Sequence, residues 1–313
     1  MEAALDSQSF GQILNRIWRL LRSNIKLFAA IASLPLAVGA GLYGLIFALV
    51  FATVPLAHGS LGPALVAAVA VDCVVGLLGF LAALLISALY EPAASYAALQ
   101  ADAGVRVTFR QAYGVAWRRP GRYLWLLILR QLIILAPIAL LGAPLAGLWL
   151  LLMDGNPNSA AAFLIIPLVV LFYAGAIVWS ILATIRMALA YPASVAEDLT
   201  AWDAICRSNR VSQGGRLRIF LVALVIYGIS LAVILGLELI FFLLLGIGML
   251  LISALHLAPV WTYIGLAPLG LLFIGALILA SMCMVAAYSI AFAVLYRDQV
   301  RLEQMAAAPG AAG

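Results

Sequence analysis

Charge is what this sequence has least of. Only 9% of its 313 residues are Asp, Glu, Lys or Arg, where an ordinary globular domain is about a quarter charged. With 67% hydrophobic residues besides, the chain has too little polar surface to wrap a core in water. That excludes a soluble enzyme, a soluble nucleic-acid binder and a disordered chain. A mean hydropathy of +1.19 belongs to a protein solvated by lipid. Lysine is nearly absent: a single Lys26 stands against 16 Arg, a bias expected of a GC-rich bacterial genome. Cysteine is limited to Cys73, Cys206 and Cys283, far apart and without a CxxC, so neither a disulfide framework nor a zinc site is suggested. Met282-Cys283-Met284 point about 100° apart on a helix and cannot converge on one soft metal ion. There is no HExxH and no Walker A sequence. No cofactor is implied.

Long hydrophobic runs are what the sequence has instead. They form three blocks, 27–90, 124–190 and 219–296, each long enough for two bilayer spans of ~20 residues. Turn-forming residues divide them: 57–63 with His58, 154–158 with Asp154, and 256–259 with His256. The resulting prediction is all-α, with six transmembrane helices near 27–56, 64–90, 124–152, 160–190, 219–245 and 262–296. The last block has room for an extra interfacial helix around 246–258, after Gly246 and Gly248. Residues 1–305 read as one integral membrane domain and 306–313 as a short disordered tail. The N-terminus is polar and amphipathic and the run after it too long for a signal h-region, so no cleavable signal peptide is expected.

The few charges fix an orientation. All 17 basic residues fall in 16–26, 106–130, 186–218 and 297–301, and none in the three turns. By the positive-inside rule both termini and both long loops face the cytoplasm, which places the chain in a bacterial inner membrane. Both histidines then sit in outer turns, so no histidine base can serve a hydrolase on the cytoplasmic side. An enzyme is not expected.

Each hairpin is preceded by a polar-amphipathic segment that opens alike. Ser9-Phe10-Gly11-Gln12 and Thr108-Phe109-Arg110-Gln111 are capping boxes, and Thr200-Ala201-Trp202-Asp203 is a looser one. Each hairpin ends on a tyrosine: Tyr90, Tyr191 or Tyr296. This predicts three helix-plus-hairpin repeats, about 9–98, 108–199 and 200–298, of one orientation. In the first segment Phe10, Ile13, Leu14, Ile17, Leu20 and Leu21 share one face, opposite Arg16, Arg19 and Arg22. That is the pattern of a helix lying in the interface, basic side toward anionic headgroups. The third segment has a thin apolar face (Ala201, Ala204, Ile205, Ser208, Val211) and is expected to pack on protein.

The run Tyr191-Pro192-Ala193-Ser194-Val195-Ala196-Glu197-Asp198, then Ala204-Ile205-Cys206-Arg207-Ser208, then Gly214-Gly215, resembles bacterial six-helix membrane proteins grouped with the membrane domain of glycerophosphoryl diester phosphodiesterase. The resemblance is specific over about 25 residues. It implies a non-catalytic inner-membrane module. The hydrolase of that name is a separate soluble domain without counterpart in this sequence, and no catalytic residue carries over.

Two sets of site residues follow. The first is a cytoplasmic basic ring facing anionic lipid: Arg16, Arg19, Arg22 and Lys26, then Arg118, Arg119 and Arg122, then Arg207, Arg210, Arg216 and Arg218. Arg207 is spaced to pair with Asp203 along one helix. The second is intramembrane: Asp72, Glu238 and Arg130, each costly in lipid and therefore a functional candidate. Asp72 and Glu238 both fall in the outer half and could share a cavity, whereas Arg130 snorkels toward the cytoplasmic side. The leading expectation is a non-enzymatic module engaging anionic lipid or a membrane-protein partner. The alternative is a small transporter or channel with an outer acidic site. Nucleic acid is not expected, because the bilayer surface accounts for the arginines.

Overall fold

The computed structural model describes residues 10–57, 63–142, 160–254 and 259–307. The turn residues His58, Asp154 and His256, the capping residue Ser9, the end of the third predicted span and most of the 306–313 tail lie outside them. The described residues form only helices: α1 (Phe10–Ala57), α2 (Pro63–Asp102), α3 (Phe109–Trp117), α4 (Pro120–Pro137), α5 (Ala160–Met187), α6 (Ala190–Ala196), α7 (Ala201–Ser212), α8 (Arg216–Ala254) and α9 (Pro259–Ala307). Six stretches of them are long and apolar enough to cross a bilayer, and at most 22% of the residues in the most apolar window of each are buried within the chain. The rest of that surface is left for lipid to solvate, so the protein is an all-α polytopic membrane protein.

The helices are longer than the spans. α1 joins the first amphipathic segment to the first span through a kink at Asn24 (φ −122°, ψ 20°). Asn24 Nδ2 and Ser23 Oγ both donate to the Leu20 carbonyl, and side chains that compete for a helical carbonyl bend the helix there. α8 runs unbroken through Gly246 and Gly248 to Ala254, so no separate helix begins at 246. Lipid offers the backbone no other hydrogen-bond partner, which makes glycine affordable in a spanning helix.

The second hairpin shows how a broken helix is satisfied. Pro137 has no N–H to give to the Ile133 carbonyl, and Ile138 N–H turns to Leu135 as the backbone loosens into a π turn over Ile138–Gly142. α5 serves the first of the two freed carbonyls: Trp179 Nε1 donates to Ile133 (2.9 Å), while Ser180 Oγ, 3.3 Å from the Ile134 carbonyl, has its nearer acceptor in Ala176 (2.8 Å). A second break separates α5 from α6. There Ser208 of α7, fully buried, accepts from Leu189 N–H (3.1 Å) and donates to the Arg186 carbonyl (2.7 Å).

The packed core gathers at the charged ends of the helices. It joins Ile13, Ile17, Leu21 and Phe28 of α1, Leu89 to Leu99 of α2, Ala112 and Ala116 of α3, Ala193 of α6, and Ile290 to Tyr296 of α9. Tyr90 and Tyr296 are buried there, and Tyr191 in a second cluster with Leu126, Met187 and Ile205. This alters the expectation for the first amphipathic segment. Ile13 (0% exposed) and Ile17 face protein, not lipid, while the indole of Trp18 is left exposed. The amphipathic stripe marks the apolar face but not what covers it. The third segment packs on protein as expected: Ala201, Ala204, Ile205, Ser208 and Val211 are all buried.

Candidate functional site

The charged face begins at the helix caps. Thr108 and Gln111 form a full capping box, Gln111 N–H to Thr108 Oγ1 at 3.4 Å and Thr108 N–H to Gln111 Oε1 at 2.9 Å. Asp203 N–H likewise donates to Thr200 Oγ1 at 3.3 Å, and that hydroxyl donates to Asp203 Oδ2. Asp203 therefore serves its own helix. Arg207 turns away from it to Glu197 (3.0 Å) and Glu303 (2.8 Å). The i, i+4 spacing on α7 is overridden because two carboxylates from α9 and the α6–α7 link stand nearer.

Four such knots cross the face. Asp102, at the end of α2 with a side chain only 1% exposed, takes Arg16 of α1 at 2.7 Å and Arg297 of α9 at 3.1 Å. Arg119 and Arg122 both reach Asp198, at 3.0 and 2.7 Å. Glu197 accepts from Arg207 and also from the hydroxyl of Tyr296. Arg218 of α8 meets Asp298 of α9 at 2.7 Å. Arg216 is bonded to Asn209 Oδ1 at 3.0 Å. The segment 191–215 is thus the latch of the face. Arg207 and Glu197 bind across helices, Ser208 fills the helix break, and Gly215 lies so close to the Gln299 side chain that an added Cβ would come within 2.4 Å of Nε2.

Of the eleven basic residues anticipated to face lipid, Arg16, Arg119, Arg122, Arg207 and Arg218 are therefore held in ion pairs, and Arg216 in a hydrogen bond. Arg19, Arg22, Lys26, Arg118 and Arg210 are exposed and make no hydrogen bond or ion pair with a described residue. Exposed tryptophans accompany them: Trp18 on α1, Trp117 at the end of α3 and Trp202 at the start of α7. Indoles and guanidinium groups at the margin of apolar spans are what an interfacial headgroup layer accommodates.

Asp198 sits at φ 53°, the left-handed region that Asp and Asn tolerate better than other side chains. The hydrogen bond from Arg122, with Arg119 beside it, holds its carboxyl below the usual carboxylate range. A depressed folded value means the stabilisation is present above the ordinary Asp pKa of about 3.9 and is lost as pH falls through the folded value. Asp198→Asn, which keeps the backbone conformation, should melt below wild type at pH 7 and converge with it once both are acidified well below pH 4. Parallel melting curves at every pH would refute this.

The intramembrane candidates are not brought together. Arg130 points to the charged end, 3.9 Å from Glu91 and over the ring of Tyr191. Asp72 lies on α2 between the exposed Val71 and Val74, and Glu238 on α8 beside the exposed Leu239 and Ile240. Both carboxyls are half-buried and without a hydrogen-bond or ion-pair partner among the described residues. α2 packs on α1, α3, α4, α6 and α9, and α8 chiefly on α9; α2 and α8 are not a packed pair.

The acids Asp102, Glu197, Asp198, Asp298 and Glu303 were not among the predicted site residues. The signal for them was their place in or within a few residues of the basic segments. Their partners lie 76 to 195 residues away for most of the knots, beyond what one sequence reveals.

Fold and charge distribution define a class, a polytopic α-helical membrane protein with one charged, knotted face. No family model matches the chain, and no curated protein or solved structure is found to be similar to it.

Proposed function

We propose that this chain is a non-enzymatic module of a bacterial inner membrane, its charged face and both termini in the cytoplasm, that engages anionic lipid. A membrane-protein partner docked on the same face is part of this reading. The observation that carries it is the division of labour among the cations. Half of the ring is consumed by internal ion pairs, while Arg19, Arg22, Lys26, Arg118 and Arg210 stay exposed at the border of the spans, beside Trp18, Trp117 and Trp202. Each such cation near an anionic surface contributes about 1 kcal/mol. The three amphipathic segments that present them open alike, in keeping with a threefold repeat around an axis along the membrane normal. The resemblance to the membrane domains grouped with glycerophosphoryl diester phosphodiesterase supports the same non-catalytic role.

The second reading, a small transporter or channel, rests on Asp72 and Glu238, the two described acids without a polar partner. Native mass spectrometry in mild detergent separates the two. The variant Arg19→Gln, Arg22→Gln, Lys26→Gln should lose retained anionic phospholipid, while Glu238→Gln keeps it. Retention unchanged in the triple variant, with a small polar ligand lost in Glu238→Gln, would favour transport instead.

A further inference from the structure

Where α1, the α7–α8 turn and the end of α9 meet, the charged face opens into a groove of about 750 Å³. Its walls carry two kinds of chemistry. The polar wall holds Arg210, Gln299, Arg218, which is paired with Asp298, and Glu303, which is paired with Arg207. The apolar wall is Phe10, Leu217, Leu221 and Leu302. Gln299 is the telling residue. It is only 7% exposed, yet its amide makes no hydrogen bond to any described residue. Its amide lines the groove with its donors and acceptor unused by the protein, so they are available to a ligand. Gly215 lets it sit there, since any side chain at that position would collide with the amide. Arg210 adds an exposed cation bound to no described carboxylate, whereas Arg218 and Glu303 are each held by a partner of opposite charge, Asp298 and Arg207.

The apolar side of the groove does not end at its rim. Leu217 is 70% exposed at the first turn of α8, and Leu221, Leu224 and Leu231 follow it on the same exposed face, down the helix into its membrane-spanning stretch. Spacings of four, three and seven residues make one continuous stripe. Thus a polar pocket with an exposed cation and an amide the protein leaves unpaired sits directly above a lipid-facing leucine track.

We propose that this groove binds one anionic phospholipid, its phosphodiester at Arg210 and Gln299 and an acyl chain along Leu217, Leu221 and Leu224. This rests on the lipid-engaging reading above, but assigns it to a single site distinct from the exposed cations of α1. Gln299 supplies two amide N–H donors, and Arg210 the charge that makes those bonds to phosphate strong. Leu217 carries the specificity for a lipid over a free phosphate.

The test is native mass spectrometry of the full chain titrated with dioleoyl phosphatidylglycerol. Arg210→Gln and Gln299→Met, the latter keeping the buried volume, should each weaken the tightest-bound lipid about tenfold or more. Gly215→Ala, which displaces the amide without removing it, should weaken it as well. Melting temperatures near wild type show that the fold is kept; should Gln299→Met melt early, Arg210→Gln, exposed in the structure, decides alone. Loss of the tight lipid only in the α1 triple variant overturns the groove and leaves the broader reading standing. Loss in neither overturns both. Displacement by glycerol phosphate as readily as by phosphatidylglycerol would mean a soluble phosphate ligand and would overturn the lipid assignment.

Discussion

Changing Arg16 and Arg297 together to Gln is expected to destabilise the protein more than changing Asp102 to Asn, although both remove the same two ion pairs. The reason lies in which charge is buried. The Asp102 side chain is 1% exposed, while those of Arg16 and Arg297 are 25% and 42% exposed. Without Asp102 the two guanidinium groups swing outward and are hydrated, and Asn can still accept from one of them. Without the arginines, a carboxylate stays buried with no cation. Stranding a buried charge costs about 3–5 kcal/mol, whereas guanidinium groups that swing into water strand none, so the loss in Asp102→Asn is the smaller. Thermal unfolding in detergent reads the difference directly. Equal melting temperatures for the two variants would mean that water reaches Asp102 and that the knot is ornamental.

The knot also explains the architecture. Asp102 closes α2, Arg16 opens α1 and Arg297 lies past the last tyrosine of α9, so one carboxylate gathers the first and last thirds of the chain. Arg122 with Asp198, and Arg207 with Glu197 and Glu303, do the same for the middle. In lipid the hydrophobic effect does not drive helices together, so packing and polar contacts must. This protein concentrates both at the ends of its helices, where water and headgroups make ion pairs less costly than in the bilayer centre.

What the sequence made legible follows from which forces are local. The six apolar spans, the Thr108–Gln111 box and the amphipathic stripe of 10–21 depend on residues a few positions apart, and all three occur in the structure. The kink at Asn24 is local too, and the Ser23-Asn24 pair was its signal. Ion pairs are another matter. Arg207 had a partner at the right spacing in Asp203, yet its carboxylates are Glu197 and, 96 residues away, Glu303. Asp72 and Glu238 sit at similar depth by counting residues, but counting does not say which helices are neighbours, and α1 and α9 intervene. The groove at Gln299 was illegible for the same reason: its walls come from three distant stretches of chain.

The other large effect expected is at Ile13. A stripe of Ile13, Ile17 and Leu21 fits a helix floating in the headgroup layer and a helix docked on protein equally well. The structure chooses docking: all three are buried against α2, α3 and α9, and α1 continues past Asn24 without leaving the body of the protein. The two cases differ in what truncation costs. A floating helix loses only membrane affinity when Ile13 becomes Ala, and the fold is untouched. A docked helix loses transfer energy and gains a cavity, about 2–5 kcal/mol for a fully buried isoleucine. Ile13→Ala should therefore lower the melting temperature markedly. Trp18→Ala, on the exposed side of the same helix, should leave it nearly unchanged while weakening binding of the protein's charged face to anionic vesicles. The reverse pattern, a stable Ile13→Ala and an unstable Trp18→Ala, would turn the helix over and detach it from the core.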